Sequence, residues 1–149
     1  MSRHWRPALT CDVVLFSRQQ GQWMVLLIAR KHPPFAGSWA LPGGFLDEHE
    51  ELEACARREL QEETGIGVER LEQLRTYGRP GRDPRGRTVS VAWWTTVDAS
   101  RLEPAAGDDA ADARWWPVDA PPALAFDHAE ILADATARLR AMNLPPTVP

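Results

Sequence analysis

The stretch from Asp47 to Gly65, DEHEELEACARRELQEETG, constrains the fold more than any other part of the chain. It holds no proline, acids crowd its first turn, and Gly65 supplies a natural stop. It therefore reads as a helix begun by Asp47 or Glu48 and capped by Gly65. On a wheel of about 100° per residue, Glu59, Glu62 and Glu63 lie within an arc of about 100°. Leu52, Cys55 and Ala56 share that arc, while Arg57, Gln61 and Thr64 fall opposite. A solvated charge face would carry its acids away from the apolar residues. Carboxylates packed together repel and raise one another's pKa values, so this cluster calls for a hard divalent cation, Mg²⁺ above all. A surface helix laced with Glu–Arg pairs is the plainer alternative.

Around this helix the chain alternates strand and loop patterns. LTCDVVLFS (9–17) and WMVLLIAR (23–30) flank a turn at Gly21 and read as a hairpin. KHPPFAGSWALPGG (31–44) has three prolines and three glycines in 14 residues, so it reads as an ordered loop. IGVERLEQLRTYG (66–78) reads as a strand with a break, RPGRDPRGR (79–87) as a turn, and TVSVAWWTTVD (88–98) as the clearest strand. An acidic loop (99–112), a short strand (113–119) and an amphipathic helix from about Asp127 complete the pattern. That helix carries Ile131, Leu132, Ala135, Leu139 and Met142 on one side. The mixture predicts an α/β layered fold.

A chain of 149 residues suits a single domain, with a core over about 9–142 and tails at 1–8 and 143–149. The net charge of −4 argues against broad binding to nucleic acid or to an anionic membrane, yet leaves room for a small phosphorylated ligand held by a local basic patch. Cys11 and Cys55 lack the spacing of a zinc site or a disulfide framework and read as buried thiols. The N-terminus has no signal-peptide pattern, and no apolar run reaches the roughly 20 residues that cross a bilayer. A cytoplasmic location is expected. The seven Trp imply a well-filled core or aromatic ligand walls.

From Gly44 the chain runs five residues to Glu50, seven more to Arg58-Glu59-Leu60, one to Glu62-Glu63 and one to Gly65-Ile66. This resembles the complete signature of the Nudix hydrolases, and GSWALPGG upstream resembles the family's usual approach to it. The similarity continues over about residues 9 to 141. It implies a Nudix-type α/β/α sandwich with a mixed sheet. It also implies hydrolysis, with Mg²⁺ or Mn²⁺, of a nucleoside diphosphate linked to another moiety. Carried over by position, Glu59, Glu62 and Glu63 match the metal-holding acids. Gly43 or Gly44 would lend a backbone carbonyl, Arg58 would pair with a box carboxylate, and Glu50 would orient the helix end or a metal-bound water. Ordinary helix salt bridges remain the alternative for Arg58 and Glu50.

YGRPGRDPRGRTVSVAW (77–93) resembles the ADP-ribose pyrophosphatase branch, which splits ADP-ribose into AMP and ribose 5-phosphate. Arg79, Arg82, Arg85 and Arg87 concentrate positive charge on one turn, and a guanidinium grips phosphate through two parallel hydrogen bonds. Arg82 is the favoured contact; a solvated turn is the alternative. AAGDDAADARWW (105–116) also resembles that branch, where a loop acid often serves as a further metal ligand or general base. Asp109, or failing that Asp108, is the candidate, against a plain acidic loop. In LAFDHAEIL (124–132), His128 would hold loop or substrate, or be structural beside a helix-capping Asp127. Phe35, Trp39 and Phe126 are candidate walls for adenine.

Two other readings stay open. The chain would remove oxidised or surplus nucleoside triphosphates, or it would be a non-catalytic ADP-ribose sensor. Sensors of this kind usually carry a DNA-binding segment and tend to lose box acids; the box here is intact and little sequence follows residue 143. The expected partner is a nucleotide, with neither nucleic acid nor membrane, and the resemblance leaves a homodimer open.

Overall fold

The computed structural model describes residues 4–98, 103–107 and 110–142. Strand β1 (Ala8–Gln19) turns back into β2 (Gln22–Arg30) through two residues, Gln20 at φ 53° and Gly21 at φ 77°. Positive φ at both positions matches the right-handed twist of the flanking strands, so the hairpin closes tightly. On its other edge β1 runs parallel to β6 (Thr88–Val97), from Ala8 opposite Thr88 to Ser17 opposite Val97. With β3 (Trp39–Ala40) and β5 (Glu72–Tyr77), the sheet runs β3-β2-β1-β6-β5; β4 (Gly43–Phe45) pairs with β1, and β7 (Ala110–Pro117) with β2.

β1 is buried on both faces, which is why its sequence is almost continuously apolar. Cys11, Val13 and Leu15 meet Cys55, Ala56 and Leu60 of α1 (Leu52–Thr64) on one side. Val14 and Phe16 meet Ile131, Leu132, Ala135 and Leu139 of α2 (His128–Met142) on the other. The result is the expected α/β/α sandwich with a mixed sheet. The thiols of Cys11 and Cys55 are buried and unbridged. No helix among the described residues is long and apolar enough to cross a membrane.

Several boundaries differ from the sequence reading. The 31–44 loop contributes two short strands, because Trp39–Ala40 hydrogen-bonds to β2 and Gly43–Phe45 to β1. Helix α1 begins at Leu52 rather than at Asp47 or Glu48. The Asp47 N–H donates to the Glu50 carboxylate at 3.2 Å and folds 47–50 into a turn ahead of the helix. Its end is as expected: Gly65 adopts φ 77° and its N–H donates to the Gln61 carbonyl at 2.8 Å. β5 starts only at Glu72, after the Leu71 N–H is taken by Glu53. β7 starts three residues earlier than expected, at Ala110 opposite Arg30. Met142, expected on the apolar side of α2, is 64% exposed.

Candidate active site

The buried arc of α1 is wider than the wheel implied. It runs from Cys55 through Ala56 and Leu60 to Thr64, which is fully buried although the sequence put it on the opposite side. Glu63 sits near the middle of this arc and Glu62 at its outer edge. Glu59 is accordingly 13% exposed at its side chain, and Glu62 59%. Glu63 Oε2 is buried without a hydrogen-bond partner. Burial, reinforced by the charges of Glu59 and Asp12, pushes the Glu63 carboxyl up to about 9, against the pull of the nearby Gly43 backbone. Burial also raises Glu59, against the pull of Arg58.

Arg58 organises the box. Its Nε and Nη2 grip both Glu50 oxygens, at 2.6 and 2.9 Å. Its Nη1 donates to Glu59 at 2.7 Å and Glu62 at 3.2 Å, and Nη2 also reaches the Phe45 carbonyl at 3.1 Å. The hydrogen bonds from Arg58 hold Glu50 down at about 2. Glycine is required where β4 passes beneath. A Cβ on Gly44 would lie 2.4 Å from Glu59 Oε2, and one on Gly43 2.3 Å from Asp12 Oδ1 and 2.4 Å from the Cys11 carbonyl. Gly107, from the loop before β7, donates its N–H to the Glu63 carbonyl at 3.1 Å and closes the far end of the box.

Glu59, Glu63 and Asp12 open into a cleft of about 350 Å³ that is also lined by Arg30, Arg82, Arg85, Phe45 and Phe126. The four arginines of the 79–87 turn do not act alike. Arg82 lines the cleft but is buried, and its Nε and Nη2 are committed to Asp127 at 2.9 and 2.6 Å. Arg85 pairs with Asp83 and lies 5.0 Å from the Phe45 ring and 5.4 Å from that of Phe126. Arg79 points to Glu130 at 3.5 Å and, like Arg87, stays outside the cleft lining.

Phe35 and Phe126 do meet, ring centroids 4.9 Å apart, although only Phe126 lines the cleft. Both hold positive φ, 62° and 53°, an uncommon conformation for aromatic residues and one that concentrates at functional sites. Trp39 packs against Trp116 instead. The Asp127 carboxylate serves Arg82 rather than capping α2. His128 is buried, its Nδ1 accepting the Leu41 N–H at 3.0 Å, so it holds the loop before β4 in place. Asp108 and Asp109 lie outside the described residues.

Sequence reasoning missed Asp12, Arg30, Phe45 and Asp83. Asp12 had one available signal, a lone acid inside an apolar strand. Arg30 ended a strand in the ordinary way, Phe45 followed the glycines without a pattern, and Asp83 was read as a turn residue.

Among the described residues, no three acid, His or Cys side chains form a ready metal cage. Arg58 neutralises part of the cluster. The donors nonetheless fit a hard divalent ion. They are all oxygen, Glu63 Oε2 is orphaned in a buried position, and Gly44 leaves space against Glu59 that any side chain would fill.

The family description "NUDIX domain" matches residues 6–138. An ADP-ribose pyrophosphatase of Methanocaldococcus jannaschii is 43% identical over 128 residues, covering 86% of this chain and 72% of that protein. The ADPR responsive transcriptional repressor NtrR of Acinetobacter baylyi is 39% identical over 137 residues, 89% of this chain and 54% of the repressor. This chain thus spans about half of the repressor's length. Among solved structures, the NUDIX domain of Shewanella oneidensis NrtR complexed with ADP ribose superposes with a TM-score of 0.85 at 37% identity, covering 91% of this chain and 90% of that one.

Proposed function

The chain belongs to the Nudix hydrolase family, and from that premise we propose that it cleaves the pyrophosphate bond of ADP-ribose to give AMP and ribose 5-phosphate. The observation that carries this reading is the shared lining of one cleft: the α1 carboxylates of Glu59 and Glu63 face the same space as the guanidinium groups of Arg30, Arg82 and Arg85 and the rings of Phe45 and Phe126. The relatives named for ADP-ribose support the same ligand class.

Glu59, Glu62 and Glu63, with a carbonyl of Gly43 or Gly44, would hold Mg²⁺ or Mn²⁺. Bound there, the ion supplies charge neutralisation for the diphosphate and a more acidic water. Arg58 aims the Glu59 and Glu62 carboxylates, and Glu50 fixes Arg58 in turn. Arg85 is better placed than Arg82 to meet a phosphate: each guanidinium already grips an aspartate, but the Arg85 side chain is 41% exposed and that of Arg82 only 4%. Phe126 and Phe45 would give the adenine apolar wall, with the Arg85 guanidinium over both rings and that of Arg30 over Phe126. Asp109, or Asp108, is assigned as the general base that takes the water's proton.

Product analysis with a panel of nucleotide sugars and oxidised dGTP in ¹⁸O water tests this. AMP and ribose 5-phosphate from ADP-ribose, with label on one of them, is the expected result; preferential release of pyrophosphate from the triphosphate would refute it. A second reading, an ADP-ribose sensor acting with DNA, is favoured by the similarity to the repressor. Tight binding of ADP-ribose with Mg²⁺ but no AMP release would select it.

A further inference from the structure

Asp12 is the one acid in the buried run of β1, 6% exposed between Cys11 and Val13. An ionised carboxylate in such a strand is costly unless its oxygens find donors. One oxygen does, since Ser90 Oγ donates to Oδ2. Oδ1 has His128 Nε2 at 3.7 Å, beyond hydrogen-bond reach, and no other donor among the described residues. Because His128 Nδ1 accepts from Leu41, its proton sits on Nε2 and faces this oxygen, which fixes the electrostatic setting without satisfying the lone pairs.

The surroundings keep Oδ1 available. Asp12 lines the cleft, and β4 places a glycine beside it, where a methyl on Gly43 would lie 2.3 Å from Oδ1. Glu63, Arg30 and Arg82 line the same cleft, and each feels the Asp12 charge. A carboxylate on the floor of a phosphate-binding cleft is misplaced for gripping phosphate. It suits a neutral group rich in O–H donors.

We propose that Asp12 is a specificity-determining residue whose Oδ1 accepts a hydrogen bond from a sugar hydroxyl of the moiety joined to the diphosphate. Its negative charge disfavours a further phosphate in that place, so the same atom selects a nucleoside diphosphate sugar and rejects a triphosphate. The assignment rests on the reading of this cleft as a nucleoside diphosphate sugar site.

The test is calorimetric binding, with Mg²⁺, of the α,β-methylene analogue of ADP-ribose and of ADP, to the full chain as wild type, Asp12→Asn and Asp12→Ala. Loss of a charged acceptor is expected to weaken the analogue by about tenfold or more in Asp12→Ala, while ADP, which lacks the second sugar, changes by less than about twofold. Asp12→Asn keeps a neutral acceptor and falls between. Equal losses for both ligands, or none for either, overturn the proposal, as does a wild type that binds neither. Melting curves accompany each variant, and Asp12→Asn alone carries the comparison if Asp12→Ala does not fold. A wild type that binds the analogue yet releases no AMP from ADP-ribose removes the pyrophosphatase reading, and the binding ratio still decides Asp12.

Discussion

Arg82 and Asp127 meet through two parallel hydrogen bonds, 2.9 Å from Nε and 2.6 Å from Nη2, with the Arg82 side chain only 4% exposed. The pair ties the arginine-rich turn to the residue just before α2, and so sets the basic wall of the cleft. Removing one partner strands the other charge away from water, at about 3–5 kcal/mol. Asp127→Ala is expected to lower the unfolding free energy by about 3 kcal/mol in urea titrations. Replacing both, as Arg82→Met with Asp127→Leu, recovers most of that loss. A single variant as stable as wild type would show that the turn is not anchored here.

Gly43 and Gly44 separate fold from function. A methyl at Gly44 meets only the end of the Glu59 side chain, whereas one at Gly43 meets the Cys11 backbone carbonyl at 2.4 Å. Gly44→Ala is therefore expected to fold while displacing Glu59, with a loss of roughly 100-fold in kcat/KM, about 2.7 kcal/mol in the transition state. Gly43→Ala is expected to lose stability by about 1–3 kcal/mol, read from thermal melting, because backbone must move. Equal behaviour of the two variants contradicts this account.

The acidic box was legible because its spacing is local: one helix face, one arginine, one glycine cap. The same holds for the β1–β2 hairpin, whose turn at Gly21 lies between two apolar runs a few residues apart. What stayed hidden was the pairing across the chain. Nothing local says that Arg82 would be buried against Asp127, 45 residues away, while Arg85 in the same cleft stays 41% exposed. Nothing in the wheel says that Thr64 would be buried, because that depends on where Ile66 and the 103–107 loop pack. Asp12 was legible as an anomaly, but its place opposite Gly43 required the sheet register.

Arg58 acts as a fork that a lysine cannot replace. Arg58→Lys is expected to keep charge yet release at least one of Glu50, Glu59 and Glu62, lowering activity by about 10- to 100-fold. Glu50 sits at about 2 in the folded protein against 4.5 ordinarily. Its contribution to stability is therefore complete above pH 4.5 and fades as pH falls toward 2. Urea titrations across that window should show this acid loss in wild type and a reduced one in Arg58→Ala.

His128 gives a second pH signature. Burial lowers its pKa below the ordinary 6.5 despite the nearby Asp12 carboxylate. The unfolded chain then binds more protons than the native one just below pH 6.5, so stability falls as pH drops through that region. His128→Gln retains an acceptor for the Leu41 N–H but cannot titrate, and should flatten the profile between about pH 7 and 5.5. An unchanged slope would assign the acid sensitivity elsewhere.

Glu63 carries the sharpest test of a cation site. Its folded value of about 9 lies above the ordinary 4.5, so without metal the native state holds the extra proton. Stability of the metal-free protein must therefore fall as pH rises from 4.5 toward 9, the opposite sense to Glu50 and His128. A divalent ion reverses this by stabilising the ionised carboxyl, and at 100 times its Kd adds about 2.7 kcal/mol. Glu63→Gln removes the crowded charge, so it is expected to melt higher than wild type at pH 8 without metal and to gain little from Mg²⁺. Melting curves at pH 6 and 8, with Mg²⁺ or chelator, separate the outcomes. A wild type indifferent to Mg²⁺, with a variant no more stable at pH 8, would mean that no cation belongs among these carboxylates.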